Sequence, residues 1–157
     1  MRHGTTRVPE AYVVDSSVVV RWYVDQPGAE HAREVRERLV AGSVSLVAPD
    51  ICRWEVANVL RKKGLEPGLL AVEDVVGSLT DLDDLGVVVH PVDLPRLQTV
   101  TALAARRRMS LFDAAFVELS LRTGLPLLTA DARLARTVAG LVSTEVLRGV
   151  LPDPRGS

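Results

Sequence analysis

The sequence predicts an α/β fold in which a mainly parallel sheet carries helices on both faces. Segments with strand and helix patterns alternate along the chain. The predicted strands are short, continuous apolar runs, which is typical of strands buried on both faces. With 157 residues, of which 47% are hydrophobic, the chain has the length and apolar content of one packed domain. We place that domain at residues 11–148 and expect flexible ends at 1–10 and 149–157.

The first half of the chain predicts strands that each lead into a helix. Residues 12–14 form a β-rich run that ends in Asp15-Ser16-Ser17, which are residues that readily cap a helix. A helix follows at 28–40, because apolar side chains recur there at helical spacing among charged ones. The run at 44–48 predicts the second strand, which ends at Pro49-Asp50.

The middle of the chain predicts two helices and then a third strand. A helix at 51–63 is expected to stop at Gly64. Another is expected at 67–82, with Pro67 in its first turn. The apolar residues 87–89 then predict a strand.

The last third continues the alternation of helix and strand. Helical spacing predicts a helix at 95–108, and Ser110 opens another that runs to residue 122, before Gly124. The apolar run 127–129 predicts the fourth strand, and Asp131 caps a short helix that reaches residue 138. A fifth strand is expected at 141–143 or at 146–147.

Composition and motifs exclude several classes of protein. A formal net charge of −1 provides no broad cationic field, so a histone-like binder of nucleic acid is excluded. The single cysteine permits no internal disulfide or cysteine-rich zinc site. Phosphate-binding glycine loops and the nucleophile elbow of serine hydrolases are missing from the sequence. No apolar run approaches the length of a membrane span, and we expect a cytoplasmic protein without membrane contact.

Four acidic residues are candidates for a site: two follow predicted strands, where parallel α/β sheets bind ligands, and two point inward from predicted helices. Asp15 and Asp131 follow predicted strands, and helix capping is the alternative role for each. Glu55 lies on the apolar stripe of its helix; alternatively, its stem packs there while its head reaches water. Asp113 comes three residues after Ser110 in a capping-box pattern, but it also lies on an inward face of its helix.

A fold that gathers these acids creates a carboxylate cluster. Neighbouring carboxylates repel one another, so the cluster is unfavourable at pH 7 unless divalent cations occupy it. Oxygen ligands without Cys or His select hard ions, and we therefore expect Mg²⁺, with Mn²⁺ as a substitute. The hydroxyls of Ser17 and Thr129 are candidates to orient ligands or water, with ordinary capping or strand-end hydrogen bonding as the alternative.

Four segments around these acids resemble the acidic motifs of PIN-domain ribonucleases, and most closely those of VapC-type toxins. They are YVVDSS at 12–17, APDICRWEVANVL at 48–60, MSLFDAAF at 109–116 and PLLTADARL at 126–134. The resemblance implies an α/β/α sandwich with Asp15, Glu55, Asp113 and Asp131 as its acidic quartet, and Asp15 and Asp113 as the most direct Mg²⁺ ligands. It also implies an endoribonuclease for single-stranded RNA, a cognate antitoxin and a homodimer.

Three further expectations concern basic residues, the dimer and the alternatives. Five basic side chains are candidate phosphate guides, unless they only form solvated helix ends: Arg61, Lys62, Arg106, Arg107 and Arg108. The third helix is rich in apolar residues that serve either a dimer or the core, namely Leu69, Leu70, Val72, Val75 and Val76. The alternatives to a toxin are a PIN nuclease of RNA processing and a non-catalytic binding module whose acids only cap helices.

Overall fold

The computed structural model describes residues 10–152 and contains a five-stranded sheet. All neighbouring strands are parallel, in the order β3-β2-β1-β4-β5. The strands are β1 (Glu10–Val14), β2 (Val44–Pro49), β3 (Val88–His90), β4 (Leu127–Thr129) and β5 (Thr144–Val146). The prediction of a parallel sheet with helices on both faces is confirmed.

Seven α-helices occupy the connections in the described part of the chain. They are α1 (Ser16–Val20), α2 (Ala29–Val40), α3 (Ile51–Leu60), α4 (Val72–Asp84), α5 (Leu94–Arg107), α6 (Leu111–Thr123) and α7 (Ala132–Thr137). A π-helical turn, Arg61–Leu65, extends α3. Helix α6 is buried along residues 114–120 and contacts β1, β2 and β4, so it forms the centre of one helical layer. None of the helices between residues 10 and 152 has the length and apolar content to cross a bilayer.

Strand order changes direction at β1, and this creates the binding crevice of the fold. The chain moves from β1 through β2 to β3 on one side, then returns to place β4 and β5 on the other side of β1. Right-handed crossovers put the connecting helices of the two halves on opposite faces, so a crevice opens between the carboxyl ends of β1 and β4. Asp15 and Asp131 follow these two strands.

The structure corrects the sequence predictions around α4. Gly64 does not end the preceding helix, because the π-helical turn passes through it. Leu70 packs against the Cα of Gly64, in the space that a side chain would fill, since a Cβ there would lie 2.5 Å from Leu70 Cδ1. Helix α4 begins at Val72 rather than in the turn at Pro67, and the Ala71 N–H donates to the Asp74 carboxylate over 2.8 Å.

Smaller corrections concern the ends of the domain and the last strand. Strand β5 occupies residues 144–146, so it excludes the first predicted position and overlaps the second only at Val146. Strand β1 begins at Glu10, and Val150 packs against the core, so packing extends beyond the predicted limits of 11 and 148. Gly28 has φ +91°, and a Cβ at this position would lie 2.8 Å from Val150 Cγ2. Both features require glycine, and together they hold residues 147–150 against α2. Residues 1–9 and 153–157 lie outside the described part.

Candidate active site

The side chain of Asp15 is buried at the carboxyl end of β1 and is held by two hydroxyl groups. Ser17 Oγ donates to Asp15 Oδ2 over 2.6 Å, and Thr129 Oγ1 donates to the same oxygen over 2.8 Å. Asp15 makes no side-chain capping bond to α1, although it occupies the N-cap position. The structure therefore gives this carboxylate a tertiary role in place of the helix-capping alternative.

The same two hydroxyls join β1 to the loop that follows β4. Ser17 Oγ accepts from the Ala130 N–H over 3.0 Å, and Thr129 Oγ1 accepts from the Asp131 N–H over 2.9 Å. Asp131 itself caps α7, because its Oδ1 accepts from the Leu134 N–H over 3.0 Å. Asp131 therefore does cap α7, and the capping hydrogen bond uses Oδ1 and not Oδ2.

Glu55 and Asp113 reach the crevice from helices on the two layers. On α3, the half-buried Glu55 carboxylate accepts from Ser16 Oγ through Oε1 over 3.2 Å. On α6, Asp113 lies in the first turn, where its backbone N–H donates to Ser110 Oγ over 3.0 Å. The N-cap of α6 is thus supplied by Ser110, and the Asp113 carboxylate is partly buried toward the other acids.

Three of the four carboxylates, those of Asp15, Glu55 and Asp113, have pKa values raised by burial and by the charges of neighbouring acids. Burial raises the pKa of Glu55 to about 7, with a further contribution from the charge of Asp15. Burial also raises the pKa of Asp15, against the opposing effect of its two hydroxyl partners, and the charges of Asp113 and Asp131 raise it further. The pKa of Asp113 is raised first by burial and then by Asp131. Buried, mutually repelling acids are a common sign of a functional site.

Comparison with known proteins assigns this arrangement to a family. The model of the PIN domain matches residues 12–140, a span that includes all four acids. The chain belongs to the PIN-domain family. Relatives named Ribonuclease VapC3 come from two organisms. The protein from Pyrobaculum aerophilum is 33% identical over 133 residues, covering 83% of this chain and 97% of the relative. The protein from Mycobacterium tuberculosis is 35% identical over 138 residues, covering 87% of this chain and 93% of the relative.

These relatives confirm the predicted likeness to PIN-domain ribonucleases of the VapC type. The fold agrees as well. A crystal structure of PAE2754 from Pyrobaculum aerophilum superposes with a TM-score of 0.59 at 19% identity, covering 87% of this chain and 92% of that one. At this identity the superposition bears on the fold alone.

The donor set of this PIN domain suits a divalent cation. Its ligands are carboxylate oxygens, which hard ions such as Mg²⁺ prefer. A bound cation would also offset the repulsion that raises the pKa values of Asp15, Glu55 and Asp113. Within residues 10–152, no three acidic, histidine or cysteine side chains stand close enough to coordinate one ion. Coordination by the quartet therefore requires its side chains to draw together from their present positions.

The basic residues predicted to guide phosphate lie on the surface of the PIN domain. Arg61 pairs with Glu66, with Arg61 Nη1 2.9 Å from Glu66 Oε1. Lys62 is exposed on the π-helical turn. Arg106 and Arg107 line a cleft between α5 and α6, and Arg108 ends α5 in a left-handed conformation with φ 54°. Their contribution to RNA binding stays a prediction.

Two arginines that the sequence reasoning missed lie beside the acids. Arg21 donates from Nε to the Pro27 carbonyl over 2.7 Å and from Nη1 to the Ser17 carbonyl over 2.8 Å. Burial lowers the pKa of Arg21, and the charges of Asp15 and Asp131 oppose that shift. Arg133 lowers the pKa of Asp113. Both arginines line an open pocket together with Asp131. In the sequence, only their position relative to the acids could have indicated a role: Arg21 is six residues after Asp15, and Arg133 is two residues after Asp131.

Proposed function

We propose that this PIN-domain protein is a Mg²⁺-dependent endoribonuclease for single-stranded RNA and the toxin of a type II toxin–antitoxin module. One observation carries the proposal: Asp15, Glu55, Asp113 and Asp131 come from four separated segments to a single crevice, where burial and neighbouring carboxylates raise the pKa values of the first three. Helix capping involves the carboxylate of Asp131 and a side-chain bond between Asp113 and Ser110, but it gives no reason for Asp15, Glu55 and Asp113 to be turned into the same crevice.

In the proposed mechanism, Asp15 and Asp113 would be the principal ligands of the cation, and Glu55 and Asp131 would complete its surroundings. When bound, the cation supplies Lewis acidity toward the phosphate and acidifies water near it. Ser17 and Thr129 fix Asp15 through the bonds they donate to its Oδ2. Such fixed orientation of a ligand is what partners behind a metal site provide.

Glu55 is the proposed general base of the hydrolysis. Its half-buried carboxylate reaches the crevice, and Ser16 Oγ holds its Oε1, so the group is positioned to take a proton from water. The water oxygen forms a bond to phosphorus, one proton passes to a Glu55 oxygen, and the bond from phosphorus to the leaving ribose oxygen breaks. That oxygen then takes up a proton, so the reaction consumes one water.

Arg21 and Arg133 are the proposed phosphate contacts at the Asp131 side of the crevice. No carboxylate within the described residues lies within ion-pair distance of the Arg21 guanidinium, although two backbone carbonyls fix it in place. A fixed guanidinium presents paired N–H donors that match phosphate oxygens. We propose for these two residues the same phosphate-guiding role that the sequence predicts for Arg61, Lys62, Arg106, Arg107 and Arg108.

The test is cleavage of a labelled single-stranded RNA in Mg²⁺ and in EDTA by the wild type, Asp15→Asn and Asp113→Asn. We expect cleavage by the wild type only with Mg²⁺, and a loss of at least about 100-fold in each variant, since the metal ligands act together. Asp25→Asn is the matched control, because Asp25 is exposed and its carboxylate pairs with Arg33 on α2. Full activity in both quartet variants would refute the site.

The toxin role has a separate test. We expect expression of the wild type, but not of Asp15→Asn, to arrest growth, and we expect a small protein encoded beside this chain to relieve the arrest by covering the crevice. Cleavage in vitro without growth arrest would instead favour the RNA-processing nuclease. A melting temperature indifferent to both Mg²⁺ and Mn²⁺ would favour the binding module.

We also propose a homodimer through the α4 region. Leu69, Val72 and Val76 are exposed there, at 69%, 55% and 61% of their surface, whereas Leu70 and Val75 pack against the core. The predicted apolar set thus divides into core residues and a surface patch. Sedimentation of the wild type and of Val76→Glu tests the dimer, which the variant is expected to weaken.

A further inference from the structure

Two aromatic residues of this chain are exposed, and each immediately precedes a quartet acid. Trp54 precedes Glu55 and is 80% exposed, while Phe112 precedes Asp113 and is 50% exposed. The other four aromatic residues are buried or partly buried: Tyr12, Trp22, Tyr23 and Phe116. An aromatic side chain left in water loses the stabilisation that burial gives, and contiguous exposed apolar surface marks binding sites.

Trp54 and Phe112 together line both of two adjoining grooves. The smaller groove, of about 350 Å³, also includes Glu55 and Asn58, so it is continuous with the proposed active site. The larger groove, of about 440 Å³, extends from the same two aromatics to Val92 and Leu97. Between residues 10 and 152, no lysine or arginine lines either groove, so this part of the chain offers no cation there to hold a phosphate.

Apolar and basic surfaces lie on opposite sides of the quartet. Glu55, beside the grooves, belongs to the helix that follows β2, whereas Arg21 and Arg133 share a pocket with Asp131 after β4. Strand β1 lies between β2 and β4. A single-stranded RNA that runs across this edge therefore meets cations on one side of the acids and exposed aromatic rings on the other. Unpaired bases are recognised mainly by stacking on aromatic side chains.

We propose that Trp54 and Phe112 form a stacking platform for an unpaired nucleobase of the RNA next to the cleaved phosphate. The proposal rests on the ribonuclease function above and assigns part of its substrate binding. Trp54 supplies the larger and more exposed ring face, and Phe112 supplies a second ring in the same grooves. Asn58, whose side chain lines the smaller groove, is placed to contact the polar edge of the base.

The first test compares Trp54→Leu and Trp54→Phe in steady-state cleavage of a single-stranded RNA. Leucine keeps an apolar side chain but has no ring, so we expect KM to rise about 10-fold or more with little change in kcat. Phenylalanine keeps a ring and is expected to restore most of the affinity. Val40→Ala, which alters an exposed apolar residue on α2, is the matched control. Because Trp54 is largely exposed, the melting temperature of each variant should stay that of the wild type.

The second test uses an RNA of the same length that carries abasic sites at successive positions. We expect an abasic site at one position beside the cut to raise KM for the wild type and to have no further effect on Trp54→Leu. Intrinsic fluorescence gives a direct reading, since Trp22 is buried and only Trp54 is open to quenching by a stacked base.

Failure of this inference is separate from failure of the ribonuclease function. If the wild type does not cleave RNA with Mg²⁺, the proposed function is wrong and the platform falls with it. If the wild type cleaves and KM is unchanged in Trp54→Leu, only the platform is overturned. The platform is also overturned if Trp54→Leu leaves KM unchanged but separates a dimer or prevents binding of an antitoxin, because the grooves then serve a protein partner.

Discussion

Replacing Glu55 by glutamine should stabilise the metal-free protein while it removes catalysis. The substitution keeps the shape of the side chain and the oxygen that accepts from Ser16 Oγ. It removes a charge that burial and Asp15 disfavour. Because the folded-state pKa is raised, ionisation of Glu55 costs stability as the pH rises from below 4.5 through about 7.

The size of this effect follows from the shift itself. The pKa rises from 4.5 to about 7, which corresponds to an upper limit of about 3.5 kcal/mol in the free energy of unfolding above pH 7. Solvent reaches the half-buried carboxylate and screens its charge, so we expect about 1 to 2 kcal/mol. For a chain of this length, that gain corresponds to a rise of about 2 to 8 °C in the melting temperature.

The assay is thermal unfolding of the wild type and Glu55→Gln in EDTA at pH 8 and at pH 5. The variant should melt higher at pH 8, and the difference should shrink at pH 5, where Glu55 is protonated. Added Mg²⁺ should stabilise the wild type more than the variant, because it binds the intact quartet more tightly. Glu37→Gln, at an exposed position on α2, is the control. An equal or lower melting temperature for Glu55→Gln at pH 8 would refute this electrostatic reasoning.

Three further predictions concern the framework around the site. Thr129→Val should lower the free energy of unfolding by about 2 to 3 kcal/mol in chemical denaturation and should reduce kcat, because Asp15 and the Asp131 N–H each lose a hydrogen-bond partner. Thr129→Ser should retain both hydrogen bonds. Burial lowers the pKa of His31, whose Nδ1 accepts from the Arg148 N–H. The free energy of unfolding should therefore fall as the pH drops below about 6.5. A pH titration of the melting temperature should show a smaller decline for His31→Gln than for the wild type. Phe116→Ala should cost about 3 to 5 kcal/mol by the same denaturation assay, because the ring is completely buried between α6 and the sheet; a cost below about 1 kcal/mol would contradict this packing.

Patterning was sufficient to predict most of the fold. Strand β4 matches its predicted residues 127–129, because the run Leu127–Thr129 is bounded by Pro126 and the capping Asp131. The region before α4 was not predictable in the same way. Pro67 is a good first-turn residue, but the packing of Leu70 onto Gly64 fixes the chain in a turn and delays the helix to Val72. Tertiary contact therefore decided what local propensity left ambiguous.

The candidate site likewise contains residues that local sequence patterns predict and residues that only the folded chain brings to it. The acids were predictable because a carboxylate at a strand end or on an apolar helix face is costly and therefore conspicuous. Arg21 was not, since an arginine at a helix end is usually a solvated cap, and only the folded chain brings it beside Asp131. Trp54 was equally hidden, because exposure of a ring next to Glu55 is a property of the surface and has no signature in the sequence.

Binding of Mn²⁺ by isothermal titration calorimetry, without RNA, tests most directly whether the four acids form a metal site. We expect saturable binding by the wild type and by the control Asp25→Asn. Asp15→Asn and Asp113→Asn should bind at least about 10-fold more weakly, because each loses a charged ligand. Absence of binding by the wild type, or equal binding by all four proteins, would contradict the proposed quartet.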